Sequence, residues 1–182
     1  WSSDVCSSDL SQAMLNRAGR LMKGSLHGVT GGTFHSFAFG VLRRYAAALG
    51  YPEGFTIMDR TDAEDVLKQV RDRAGLGKGD RSFPKKSTVM SLISKSRNKE
   101  LDLETLLERE SFHLLPHLED LRSLTRLYAE FKHEHCLMDY DDLLFHLERL
   151  LTTNPDLTDF LRLRYRYLMV DGYQDTNLVQ GR

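Results

Sequence analysis

What most limits the fold of this chain is the spacing of its strand-like segments. Between residues 60 and 165, six stretches carry apolar residues at helical spacing, and none alternates as a strand does. They fall at 61–75, 84–97, 102–110, 117–136, 139–153 and 155–165. The clearest is 117–136, where Leu118, Leu121, Leu124, Leu127, Tyr128 and Phe131 recur every three or four residues. Thr61 and Glu64 predict a capping box, Pro84 a first helical turn, and Gly75, Gly77 and Gly79 a flexible loop. A buried strand is predicted only after this helical body, at 167–171, "YLMVD".

The region before residue 60 is mixed. Residues 11–23 place Met14, Leu15, Ala18, Leu21 and Met22 on one helical face, with a stop at Gly24. "LHGVTGGTFHSF" (26–37) predicts a short strand and a glycine-rich turn, and 35–49 a helix ending at Gly50. "FTIMD" (55–59) is a short apolar stretch. A small α/β beginning, a helical body and an α/β ending describe a helical domain inserted between two strands of one sheet.

Composition narrows the function classes. With 41% hydrophobic and 28% charged residues the chain is globular, and no apolar run reaches the ~20 residues of a membrane span. A net charge of −1 gives no global basic excess, so a nucleic-acid face would have to come from local clusters. Cys6 and Cys136 are too few for a disulfide framework or a cysteine-built zinc site and fit a reducing cytoplasm. The first ten residues, "WSSDVCSSDL", resemble the translation of a sequencing adapter, carry no periodicity, and are expected to be an artefact. A start at Trp1 and a stop at Arg182 suggest a chain cut at both ends.

Three segments carry chemistry. In "GGTFHSFAFGVLRRY" (31–45), Thr33, His35 and Ser36 cluster where a helix begins, and the free N–H groups there suit phosphate. The alternative is structural: Phe34 and Phe37 in the core, with His35 as helix cap. In "MDYDDLLFHLERLL" (138–151), Asp139, Asp141 and Asp142 favour a helix start, whereas Tyr140 has no such reason to be there. It either stacks on a ligand or packs under its own helix. In "YRYLMVDGYQDTNLVQ" (165–180), Asp171 is expected at the carboxyl end of a strand, where open α/β sheets bind ligands.

Together, in this order and spacing, these segments resemble the UvrD/Rep/PcrA family of superfamily-1 DNA helicases from about residue 11 onward. The resemblance implies a partial P-loop NTPase (RecA-like) α/β domain with a helical insertion: 11–59 and 166–182 belong to the former, and 60–165 is the insertion. It implies ATP and Mg2+ as cofactors and DNA as partner, with 3′→5′ movement on single strands in repair or replication. Thr33 and His35 would contact the DNA backbone, and Tyr140 would stack on a base. Asp171 would hold the metal, and Gln174 and Asp175 would couple the nucleotide and DNA sites.

Two departures stand out. The family pattern Asp-Glu-x-Gln-Asp reads Asp171-Gly172-Tyr173-Gln174-Asp175 here, so the carboxylate that would deprotonate the attacking water is missing. Gly172 is either a sequence error or the mark of a hydrolysis-impaired DNA-binding pseudo-enzyme or helicase–nuclease subunit. No Gly-x-x-x-x-Gly-Lys-Ser/Thr loop occurs, so the chain as written is expected to lack ATPase activity. A helical interaction module without a nucleotide role is the further alternative.

The remaining clusters are weaker. His113, His117, His133, His135 and Cys136 lack zinc-ligand spacing and read as ordinary surface and helix-end residues. Lys78, Arg81, Lys85, Lys86, Lys95, Arg97 and Lys99 form either a phosphate-binding face or a solvated one.

Overall fold

The computed structural model describes residues 3–21 and 28–182, and within the first helix the side chains of residues 11–20. Eight α-helices dominate the described residues: α1 (Ser3–Leu21), α2 (Phe34–Tyr45), α3 (Arg60–Ala74), α4 (Lys86–Lys99), α5 (Leu103–Glu110), α6 (Leu118–Glu134), α7 (Tyr140–Thr153) and α8 (Pro155–Arg164). Short 3-10 turns add Ala46–Leu49, Phe112–His117 and Tyr173–Asp175. Two strands, β1 (Thr56–Ile57) and β2 (Leu137–Met138), pair in parallel with Thr56 opposite Leu137.

That two-residue pairing organises the chain. The Thr56 and Met58 amides donate to the carbonyls of Cys136 and Met138, both at 2.8 Å. The whole run α3–α6 is therefore a crossover that leaves at β1 and returns at β2. Asp59, one residue past Met58, caps α3 by accepting from the Asp62 amide at 2.8 Å. Asp139, one residue past Met138, caps α7 in the same way at 2.9 Å. Each strand thus ends in an Asp-x-x-Asp capping box, which satisfies helix-end donors that would otherwise need water.

Two cores result. The first lies inside the crossover: Ala63, Leu67 and Val70 of α3 meet Val89 and Ile93 of α4, Leu106 and Leu107 of α5, and Leu121, Leu124 and Tyr128 of α6. The second joins Ala38, Val41 and Leu42 of α2 to Met138 and to Leu143, Leu144 and Leu150 of α7. Leu157 and Leu161 of α8 pack against it. Sequence order groups α7 and α8 with the preceding helices, whereas packing places them with α2.

Several expectations need correction. The capping box of α3 is Asp59 with Asp62, not Thr61 with Glu64. The helix begins directly where β1 ends, and Glu64 instead accepts from Arg60 Nε at 2.8 Å. α1 includes residues 3–10, where the sequence predicts no periodic element. No strand forms within residues 28–33, and the expected stop at Gly24 lies outside the described residues.

The largest departure is at 167–171, which forms no strand. Tyr167, Leu168 and Met169 are 93%, 78% and 97% exposed. A parallel strand has no hydrogen bonds of its own and needs neighbours on its edges and layers on its faces. Among the described residues the only sheet is the two-residue β1–β2 pair, and the apolar run does not join it.

Candidate functional site

The helix starts of α2 and α7 lie side by side. At the first, Thr33 is the cap: its Oγ1 accepts from the Ser36 amide at 3.1 Å, and Ser36 Oγ donates back to the Thr33 carbonyl at 2.9 Å. Gly32 is needed for this closure, because a Cβ there would stand 2.6 Å from Ser36 Oγ. His35, the second residue of α2, is therefore not the cap, and its ring is half-buried. Phe34 and Phe37 pack against the second core, and Phe37 meets Tyr165 edge-on at 5.4 Å.

At the second start, Tyr140 is the first residue of α7 and is 46% exposed, so it does not lie beneath its own helix. Its ring meets His35 edge-on with centroids 6.0 Å apart. Thr33, His35 and Tyr140, far apart in sequence, thus share one surface beside two helix N-termini. The α2 terminus has no acidic residue in its first turn and presents partial positive charge, and an exposed aromatic lies beside it.

Beneath Tyr140 is a buried ionic cluster that sequence reasoning missed. Lys132 of α6 is only 4% exposed and donates to Asp139 Oδ2 at 2.8 Å and Asp142 Oδ2 at 2.6 Å. Tyr128 Oη donates to Asp139 Oδ2 at 3.0 Å, and Arg97 Nη1 donates to Asp142 Oδ1 at 2.7 Å. Arg97 also lies over the Phe145 ring, 4.4 Å from its centroid. Burial alone would raise the Asp142 carboxyl, but Lys132 and Arg97 outweigh it and hold it well below the ordinary range. Burial and the neighbouring Asp139 charge push the Tyr128 hydroxyl far up. The acidic residues of this segment therefore do more than favour a helix dipole. The available signal was Lys132 itself, four residues after Tyr128 on the apolar face of α6.

The remaining predicted residues lie in a separate segment. Asp171 is exposed, and Gly172 follows in left-handed conformation (φ 65°, ψ 31°). The Tyr173–Asp175 turn comes next, with Gln174 Nε2 3.4 Å from Asp175 Oδ2. A Cβ at Gly172 would meet only Asp175 Oδ2 at 3.7 Å, so backbone angle rather than space restricts substitution. No hydrogen bond or ring contact among the described residues joins this segment directly to Thr33, His35 or Tyr140. Asp171 offers the oxygen donor that a phosphate-bound Mg2+ accepts. No group of three or more His, Cys, Asp or Glu side chains converges among the described residues, and no phosphate-cradling loop accompanies Asp171.

The basic stretch is largely neutralised. Lys86 pairs with Asp65, and Lys95 and Lys99 both grip Glu110, at 2.7 and 2.5 Å. Those two lysines, through their hydrogen bonds, draw the Glu110 carboxyl down to about 2. Arg97 belongs to the buried cluster, which leaves Lys78, Arg81 and Lys85 exposed without an ion pair among the described residues. Of the clustered histidines, His113 is exposed, whereas the others meet neighbouring side chains. His135 stacks on Phe131 at 3.9 Å, His133 faces Tyr51, and His117 lies 3.0 Å from Ser82 Oγ. Among the described residues, no helix is long and apolar enough to cross a membrane.

The described residues form a mostly helical domain with a small parallel sheet, in which a long helical crossover separates the two paired helix starts. The profile of the UvrD/REP helicase N-terminal domain matches residues 8–182, and the chain belongs to that family. It is similar to the ATP-dependent DNA helicase PcrA of Staphylococcus aureus strain Mu50, at 28% identity over 173 residues. It is also similar to PcrA of Bacillus subtilis strain 168, at 27% over 176 residues. Each match covers 91% of this chain and 23% of the relative, so the chain spans about a quarter of the curated proteins it matches.

Proposed function

We propose that this chain is part of an ATP-dependent DNA helicase and carries one wall of its single-stranded DNA track. The observation that carries this reading is the meeting of His35 and Tyr140 at two adjacent helix starts. An exposed tyrosine can stack on a base of any identity, worth about 1–3 kcal/mol, while Thr33, His35 and the N-terminus of α2 face phosphates. In this reading 11–59 and 166–182 belong to a RecA-like domain, and 60–165 is its helical insertion. The complete protein moves 3′→5′ on single strands and unwinds duplex in repair or replication. Asp171 is the metal-facing carboxylate, Gln174 and Asp175 stand between nucleotide and DNA, and bound Mg2+ and ATP supply the phosphate chemistry.

Gly172 favours a second reading, a DNA-binding subunit impaired in hydrolysis. Its left-handed backbone is one that glycine adopts freely and glutamate does not. In the complete helicase, Gly172→Glu should raise DNA-stimulated ATP hydrolysis if position 172 is that of the general base.

The decisive experiment is oligo(dT) binding by the 182-residue chain, read by fluorescence anisotropy over a salt series. Affinity should fall with salt, and Tyr140→Ala should weaken it by about 1–3 kcal/mol, roughly 5- to 150-fold. Equal affinity of wild type and Tyr140→Ala would refute the DNA-track reading.

A further inference from the structure

The buried cluster fixes the start of α7 from below, and a second set of hydrogen bonds leads away from it. Asn98, in the last turn of α4, uses both ends of its amide. Its Nδ2 donates to Asp141 Oδ1 at 3.2 Å and lies 3.3 Å from Ser94 Oγ. Its Oδ1 accepts from Asn177 Nδ2 at 3.0 Å. Asp141 directly follows Tyr140, and its other oxygen accepts from Ser94 Oγ at 2.5 Å. Asn177 lies two residues beyond Asp175 and forms a closed pair with Gln180: the Asn177 amide donates to Gln180 Oε1 at 3.0 Å, and the Gln180 amide donates to Asn177 Oδ1 at 2.9 Å.

The end of the chain is fastened to the same two helices. Val179 is buried in the second core. Arg182 donates to Glu148 of α7 at 2.8 Å and to Glu100, the residue that ends α4. Glu100 holds a left-handed backbone (φ 51°, ψ 37°), rare for a residue with a side chain. Residues 177–182 are thus seated on α4 and α7, although 167–169 just upstream are exposed.

We propose that Asn98 is a positioning residue that couples the DNA-facing start of α7 to the segment following Asp171; this rests on the reading that Tyr140 meets single-stranded DNA. The Asn98 amide offers a donor to Asp141 and an acceptor to Asn177 from two separate atoms of one short side chain. Aspartate would lose the donor and set a second carboxylate against Asp141. A base stacked on Tyr140 restrains Asp141, Asp141 restrains Asn98, and Asn98 restrains the Asn177–Gln180 turn. Coupling carried by a contiguous hydrogen-bond chain is the kind that single side-chain deletions interrupt.

The test is hydrogen exchange by mass spectrometry on the 182-residue chain, with and without oligo(dT), for wild type, Asn98→Ala and Asn177→Ala. Oligo(dT) should slow exchange in 177–182 severalfold in wild type. Both variants should lose that slowing while oligo(dT) affinity stays within about twofold. The DNA-dependent difference is decisive, because a merely structural role would change exchange equally with and without oligonucleotide. Asn177 lies outside every α-helix, so its variant decides the matter if Asn98→Ala does not fold. Slowing that persists in either variant, or wild type that binds without slowing, overturns the coupling alone. Wild type that does not bind oligo(dT) overturns the DNA-track reading and the coupling with it.

Discussion

The paired helix starts at Thr33–His35 and Tyr140 contrast with the segment Arg166–Asp175. Both are short, polar-aromatic stretches that stand out in the sequence. The first is fully built. Thr33 and Asp139 cap their helices with their own side chains, and the helices bury Leu42, Leu143 and Leu150 almost completely. The second is not built, and its apolar residues face solvent. A capped helix satisfies its backbone within a few residues and needs a partner on one face only. A parallel strand satisfies none of its backbone groups internally and needs a neighbouring strand before any of them are paired. Local sequence can therefore complete the first kind of site and only nominate the second.

The contrast can be broken most forcefully from beneath Tyr140. Lys132→Ala leaves Asp139 and Asp142 buried with Arg97 as the remaining cation and should cost about 3–5 kcal/mol in a urea or guanidinium titration. A loss below about 1 kcal/mol would assign the stabilisation of this helix start to Arg97 and the apolar contacts instead. Acid probes the same cluster. The folded Asp142 carboxyl titrates below its unfolded value of about 3.9, so its contribution is present above that pH and is lost as pH falls toward the folded value. Circular dichroism should therefore record loss of stability beginning below about pH 5, and Asp142→Asn should flatten this dependence.

Smaller changes sharpen the comparison. Thr33→Ala removes the cap of α2 and should cost about 1 kcal/mol in the same titration, with Thr33→Ser close to wild type. At the other extreme, Met169→Ser should leave stability within about 0.5 kcal/mol, because a residue 97% exposed has no packing to lose. A large loss at Met169 would mean that the segment is buried in solution and that the two regions are alike.

Much of the helical body is legible in the sequence. The expected helices at 139–153 and 155–165 match α7 and α8 within a residue or two, because apolar periodicity and end signals agree there. The start of α3 is not legible, since Asp59 and Thr61 are both good caps and the end of β1 decides between them. The proximity of His35 and Tyr140 cannot be read from periodicity, and neither can the route Asp141–Asn98–Asn177. These join residues that only packing brings together.

What the sequence alone determined is the extent of the helices from α4 to α8 to within about two residues, through caps, glycines and apolar spacing, all interactions within a few residues. It also carried the three motifs that placed the chain in its family. The tertiary structure decided which helices share a core, that Lys132 lies buried between two aspartates, and that Tyr140 lies beside His35. It also decided that 167–171 does not become a strand. Each of those outcomes depends on desolvation and on partners distant in the chain, and a local pattern specifies neither.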